Sequence, residues 1–237
     1  MLRVDGLGCG FAGSGVVLGP VSFAVGRGEL LVVAGPSGTG KSTLLRALAG
    51  LERHRGEIGW ADGRGTVGVV FQEPRLMPWL DVRANVGFGL RGDGRRERVA
   101  ELLRLVGLAD AGSLLPKQLS GGMAQRAALA RGLAARPDVL LLDEPFSALD
   151  PENRARLGEH LRELQARLGT TMVLVTHDVA EAGRLGDRVL VLGGRPGRIV
   201  AEIPGPARGA REVEEAAWRR QLAARLRGPV VPEPSRV

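Results

Sequence analysis

Residues 35–43 read GPSGTGKST, so Gly35, Pro36, Ser37, Gly38, Thr39, Gly40, Lys41, Ser42 and Thr43 satisfy the pattern G-x-x-x-x-G-K-[ST]. Such a run suits a polyphosphate. Its glycines let backbone N–H groups curl around phosphate oxygens without Cβ interference. The lysine reaches the β and γ phosphates, and the Ser42 hydroxyl is offered to Mg²⁺. Lys41 and Lys117 are the two lysines of a chain with 33 basic Lys and Arg residues. Lysine is kept here, where a compact point charge fits better than a planar fork. The bland alternative is a glycine-rich turn before a helix.

Two further stretches end apolar runs in polar groups. In VLLLDEP, residues 139–145, an apolar strand delivers Asp143 to its C-terminal end, where a carboxylate can hold Mg²⁺ through water. Glu144 follows with no apolar task and is read as the base that orients an attacking water. His177 in VLVTHDVAEA follows another apolar strand. Strands of such a sheet bring their C-terminal ends to one crevice, which puts His177 at the γ-phosphate. His54 and His160 have no such setting and are read as bland. Gln72, after TVGVVF, reaches the same edge, although a polar loop residue accounts for it equally well by physics alone.

The stretch QLSGGMAQRAALARGL, residues 118–133, raises a separate question. Ser120 reads as an N-cap. Gly121 and Gly122 are poor helix formers. They leave the positive end of the helix dipole bare, as an anion site requires.

The elements that must carry these residues alternate. Residues 1–34 read as strands separated by turn glycines, 41–49 as a helix stopped by Gly50, and 66–71 as a strand. From about 75 to 135 the pattern is helical, with Val99, Leu102, Leu103 and Val106 on one face. Short apolar runs at 138–142, 171–175 and 188–192 read as buried parallel strands. A helix with Leu157, Leu161, Leu164 and Leu168 lies between the first two. Strands alternating with helices predict an α/β core divided by a helical insert. Asp150 and Pro151 read as N-cap and first helical residue. The tail, 204–237, is rich in Pro and Arg and holds one helix near 211–227.

Composition narrows the class. With 237 residues and 44% apolar content, the chain can build one large or two small cores. Its apolar runs are too short to span a bilayer, its start lacks a signal peptide's apolar stretch, and one cysteine suits a reducing compartment. The reading is a cytoplasmic protein that works at a membrane only if another chain takes it there. The net charge of +7 comes from scattered arginines, with five Phe and three Trp to stack on bases, so nucleic acid is not expected as a partner.

Together these residues resemble the ATP-binding cassette (ABC) family, the ATPase subunits of membrane transporters. The resemblance covers residues 2–203 and six motifs in the family's order. GPSGTGKST is similar to the phosphate loop, VVFQE to the glutamine loop with Gln72, and LSGGM to the signature. LLLDEP is similar to the Asp143–Glu144 strand, SALD at 147–150 to the inter-subunit loop, and THD to the switch with His177. Phe11 stands thirty residues before Lys41, where the family places an aromatic ring on adenine.

The resemblance implies a P-loop NTPase core with a mainly parallel sheet and an N-terminal antiparallel β portion. The ABC ATPase domain would be residues 1–203, with a helical subdomain at about 75–135 inserted. It also implies ATP and Mg²⁺ as ligands, with Ser42, Gln72 and Asp143 toward the metal. Two cassettes would pack head to tail, so that Ser120, Gly121 and Gly122 of one copy meet ATP held by the other. Met123 stands where the commonest signature has Gln, and its backbone N–H would still point at phosphate. LSGGM, LMPWL and RPGRIV are similar to members that import nitrate, sulfonates or taurine. The Gln72–Leu80 region would receive an integral-membrane permease, which in turn meets a solute-binding protein, and the chain would sit at the cytoplasmic face. The rival reading is a soluble ABC-type ATPase with a non-membrane partner.

Overall fold

The computed structural model describes residues 1–11, 15–61, 63, 65–206 and 212–227. The chain divides into two compact units. One comprises Met1–Gly26, Leu30–Ala61 and Leu174–Val237; the other comprises Arg27–Glu29 and Asp62–Val173.

The first unit opens with three strands, β1 (Leu2–Phe11), β2 (Gly15–Val25) and β4 (Arg55–Trp60), paired antiparallel in the order β2-β1-β4. Its other strands are β3 (Leu30–Ala34), β8 (Arg188–Gly193) and β9 (Arg198–Pro204). β3 pairs parallel with β8, and β8 antiparallel with β9. All five residues of β3 are buried, which matches the uninterrupted apolar run of a strand covered on both faces. Helix α1 (Lys41–Leu48) follows β3 after the glycine-rich loop.

The second unit holds β5 (Val67–Val70) and β6 (Val139–Asp143), which pair in parallel. Between them lie α2 (Val82–Val86), α3 (Arg95–Leu105), two short 3₁₀ turns and α4 (Gly121–Ala134). The helical reading of 75–135 is thus carried by these segments. Helix α5 (Pro151–Leu168) has the N-cap its sequence announces: the Asp150 carboxylate accepts the Asn153 N–H at 3.0 Å, and Gly169 ends the helix at φ +63°. Leu157, Leu161 and Leu164 are buried as their spacing requires, while Leu168 is half-buried. The division between the units falls within β7 (Thr171–Thr176), whose six residues are all buried.

The fold is mixed α/β with mainly parallel strands and a separate antiparallel sheet. Two elements lay outside the sequence reading. β4 is written RGEIGW, whose glycines and charges hide an edge strand that exists by pairing with β1. Helix α6 (Val179–Leu185) is seven residues long and too short for a clear periodicity. Helix α7 (Glu212–Arg227) realises the predicted tail helix. Trp218 anchors it: the indole N–H donates to the Pro204 carbonyl at 2.8 Å, and the ring lies against Gly183 of α6.

A Cβ on Gly183 would stand 2.6 Å from the Trp218 ring. Gly183→Ala therefore forces the tail helix away and costs about 1–3 kcal/mol, read as a lower denaturant midpoint with a more solvent-exposed tryptophan emission. A second outcome concerns pH. The Thr66 backbone N–H and hydroxyl both donate to Asp138, at 2.7 and 2.8 Å. Above all the backbone bond holds that carboxyl below its ordinary range. Its contribution is whole above the unfolded carboxyl pKa of about 3.9 and disappears as pH falls through the lower folded value. Asp138→Asn should flatten that acid limb in unfolding titrations.

Candidate functional site

In the first unit the phosphate loop winds about one carbonyl. The Pro36 oxygen accepts from Thr39 Oγ1 at 2.9 Å and from Lys41 Nζ at 3.1 Å. Lys41 is 4% exposed, whereas Pro36, Ser37 and Gly38 face solvent and Ser42 and Thr43 are half-buried. The loop has no room for side chains from behind: a Cβ on Gly35 would lie 2.5 Å from the Leu192 carbonyl oxygen. Gly40 caps α1 at φ +88°, a left-handed conformation that only glycine adopts freely. The result is a lysine and a helix N-terminus framed by bare backbone, an arrangement that takes phosphate.

His177 follows the last residue of β7 and is exposed between buried Thr176 and half-buried Asp178. The Thr176 carbonyl accepts the Gly35 N–H at 3.3 Å, so the residue before the histidine is bonded to the first residue of the loop. Phe11 is the last residue of β1 and pairs with Gly15; its side chain lies outside the described part of the structure. Arg195, the first residue of RPGRIV, was assigned no place at the phosphate loop from the sequence. Its Nη2 is 2.9 Å from where a Cβ on Gly38 would stand, so a guanidinium lies beside the loop. No pattern in the sequence announces it.

In the second unit Asp143 is the buried last residue of β6. Glu144 follows at φ +42°, a conformation that non-glycine residues adopt only under local constraint. The constraint is visible: the Glu144 carbonyl accepts from the Ser147 N–H at 3.2 Å and from its hydroxyl at 3.0 Å. A half-buried carboxylate is thereby held at a sharp turn.

Gln72 lies two residues beyond β5 and is exposed. The chain after it is fastened to α4, because the Arg131 fork donates to the Pro74 and Arg75 carbonyls, both at 2.7 Å. Buried Asn85 then accepts from the Met77 N–H at 2.8 Å and donates to the Met77, Leu80 and Asp81 carbonyls. Clamped in this way, the segment presents Trp79 with 75% of its surface exposed.

The bare helix start is as the sequence suggested. Ser120 Oγ accepts the Met123 N–H at 3.3 Å, and nothing lies within 4 Å of a Cβ on Gly122. Ser120, Gly121 and Gly122 open into a cavity of about 490 Å³ shared with Ala148, Leu149 and Asp150 of the SALD loop. Arg126, Asn153, Arg156, Leu157 and His160 complete its wall. His160, bland in the sequence, thus joins a site whose arginines and helix dipole favour an anion. Its helical position alone held no signal, because Ser120 and Arg126 at the start of α4 stand 40 and 34 positions earlier in the chain.

Lys41→Ala should abolish tight ATP binding in a fluorescent-nucleotide titration. Gly35→Ala should weaken it by about tenfold or more, because the Leu192 carbonyl must give way first. Unchanged affinity in both variants would overturn the phosphate-loop assignment.

The ABC transporter family profile matches residues 18–147. The chain is 52% identical over 195 residues to the aliphatic sulfonates import ATP-binding protein SsuB 2 of Pseudomonas syringae pv. tomato, covering 82% of this chain and 83% of that one. It is 55% identical over 199 residues to SsuB 2 of Burkholderia lata, covering 81% and 72%. Among solved structures it is similar to the dimeric post-hydrolysis state of the ATP-binding cassette MJ0796 bound to ADP and Pi. That likeness has a TM-score of 0.74 at 30% identity, over 86% of this chain and 98% of the other. It is also similar to cbiO1 from Clostridium perfringens, part of the ABC transporter complex cbiONQ, with a TM-score of 0.79 at 27% identity over 94% and 92%. The chain therefore belongs to the ABC transporter family and is an ATPase.

Proposed function

We propose that this ATPase powers import of a small solute such as a sulfonate, taurine or nitrate, as a head-to-tail dimer on an integral-membrane permease. Residues 1–203 are its ATPase domain. The observation that carries the reading is the bare start of α4, opening with the SALD loop into one cavity rimmed by Arg126 and Arg156. Its own unit offers a helix dipole and cations to an anion there, and the γ-phosphate of ATP on a second copy matches that chemistry. The MJ0796 cassette was found as a dimer with ADP and Pi, which supports the arrangement. The similarity to the SsuB aliphatic sulfonates import proteins supports the solute class.

In this reading the backbone of residues 35–43 and Lys41 bind the β and γ phosphates, and Phe11 stacks on adenine. Glu144 takes the proton of the water that attacks the γ-phosphorus, giving ADP and phosphate. His177 holds the γ-phosphate. Mg²⁺ suits the hard oxygen donors available, Ser42 at the first turn of α1 and the Asp143 carboxylate, with Gln72 as a third. When bound, it offsets negative charge on the phosphates. Among the described residues no helix is long and apolar enough to cross a membrane. Membrane attachment then falls to the permease, at the cytoplasmic face. Trp79, held outward within the Gln72–Leu80 segment, is the apolar anchor for it, and a solute-binding protein is reached through the permease.

Glu144→Gln should bind ATP with hydrolysis reduced by about 10³-fold or more and accumulate as an ATP-bound dimer in size-exclusion chromatography. Tagged Glu144→Gln protein captured from its own cells in ATP and mild detergent should bring down an integral-membrane protein. Recovery of a soluble dimer alone, or of a soluble partner, would replace the importer reading with that of an ABC ATPase acting away from the membrane.

A further inference from the structure

Glu181 is a buried acid that the hydrolytic scheme above does not use. It sits on α6, is 4% exposed, and belongs to a residue type that is almost never fully buried unless paired. Its Oε2 is hydrogen-bonded to the Thr176 hydroxyl at the end of β7. That hydroxyl also accepts the Asp178 N–H at 3.0 Å. A threonine hydroxyl has one proton to give. Thr176 Oγ1 donates it to Glu181 Oε2, while the same oxygen accepts the Asp178 N–H. Asp178 in turn caps the same helix, accepting the N–H groups of Ala180 at 2.7 Å and Glu181 at 3.1 Å.

These bonds enclose a single exposed residue, His177. The chain enters it from Thr176 and leaves it through Asp178, and both are tied to α6. Thr176 also faces the other way, because its carbonyl accepts the Gly35 N–H of the phosphate loop. One threonine therefore holds the loop through its carbonyl and the helix after the histidine through its hydroxyl. We propose that Thr176 and Glu181 are positioning residues for His177: the Thr176–Glu181 bond sets where the switch histidine stands relative to the phosphate loop. The two residues act through His177 and need not touch nucleotide. A misplacement of about 1 Å is enough to cost about 10²-fold in rate.

The inference rests on the role given to His177 and is tested beside it. Hydrolysis by the full chain is measured over a range of MgATP for Thr176→Val, Thr176→Ser, Glu181→Ala, Glu181→Gln and His177→Ala. Thr176→Val is nearly isosteric and keeps a good strand former, so it carries the test should Glu181→Ala fail to fold. Thr176→Val should lower kcat by about 10- to 100-fold and change the KM for ATP by less than about twofold. Thr176→Ser restores the hydroxyl and should recover the rate, and Glu181→Gln, which keeps an accepting oxygen, should retain most of it. Full kcat in Thr176→Val, a defect confined to KM, or a Thr176→Ser variant as slow as Thr176→Val would overturn the proposal while His177→Ala is inactive. If His177→Ala hydrolyses ATP at the natural rate, the role of His177 fails and this inference falls with it.

Discussion

A polyphosphate is held most closely by backbone N–H groups, and backbone can approach only where side chains are missing. Much of this protein follows from that constraint. The loop between β3 and α1 is closed around the Pro36 carbonyl by Thr39 and Lys41, with Gly35 pressed against the Leu192 carbonyl behind it. Such a loop needs a rigid strand ahead of it and a rigid helix after it. β3 meets the first need by being wholly buried, and the buried Leu44, Leu45, Ala47 and Leu48 of α1 meet the second.

The second unit solves a related problem with a helix start. Ser120 satisfies one N–H of α4 and the two following glycines leave the rest uncovered. Arg126 and Arg156 then line the opening with positive charge, with the Asp150 carboxylate in the same wall. The far end of the same helix does different work, where Arg131 grips the chain beyond Gln72. That grip accompanies a left-handed backbone at Arg75, whose guanidinium rests 4.3 Å from the centroid of the Phe71 ring. One rigid helix thus presents an anion site at its start and steadies the exposed Trp79 segment near its end.

Two of the three non-glycine residues at positive φ lie in segments given a function, the third being Arg136. Glu144 and Arg75 both take positive φ without being glycine, and each is held by hydrogen bonds to its own or its neighbour's carbonyl. The hydroxyl of Thr176 and the carboxylate of Glu181 fasten the turn at His177 in the same spirit. Side chains that act on a reacting atom need such anchoring, because an unanchored turn would average their positions over more space than the reaction tolerates.

The sequence by itself determined the parts whose physics is local. The phosphate loop, the buried strands β3, β6 and β7, the Asp150–Pro151 cap and the Ser120 cap are each written within a few neighbouring residues, so short-range sterics and hydrogen bonding make them legible. Tertiary structure decided whatever depends on partners distant in the chain. β4 exists because β1 accepts it as an edge. His160 and Arg156 acquire a site because α5 comes beside the start of α4, and Arg195 acquires a place because it reaches Gly38. The Thr176–Glu181 hydrogen bond exists only because α6 brings Glu181 to the end of β7. Long-range contacts leave no periodic trace in a linear sequence, because the free energy that selects them is gained only after the chain has closed the intervening loops.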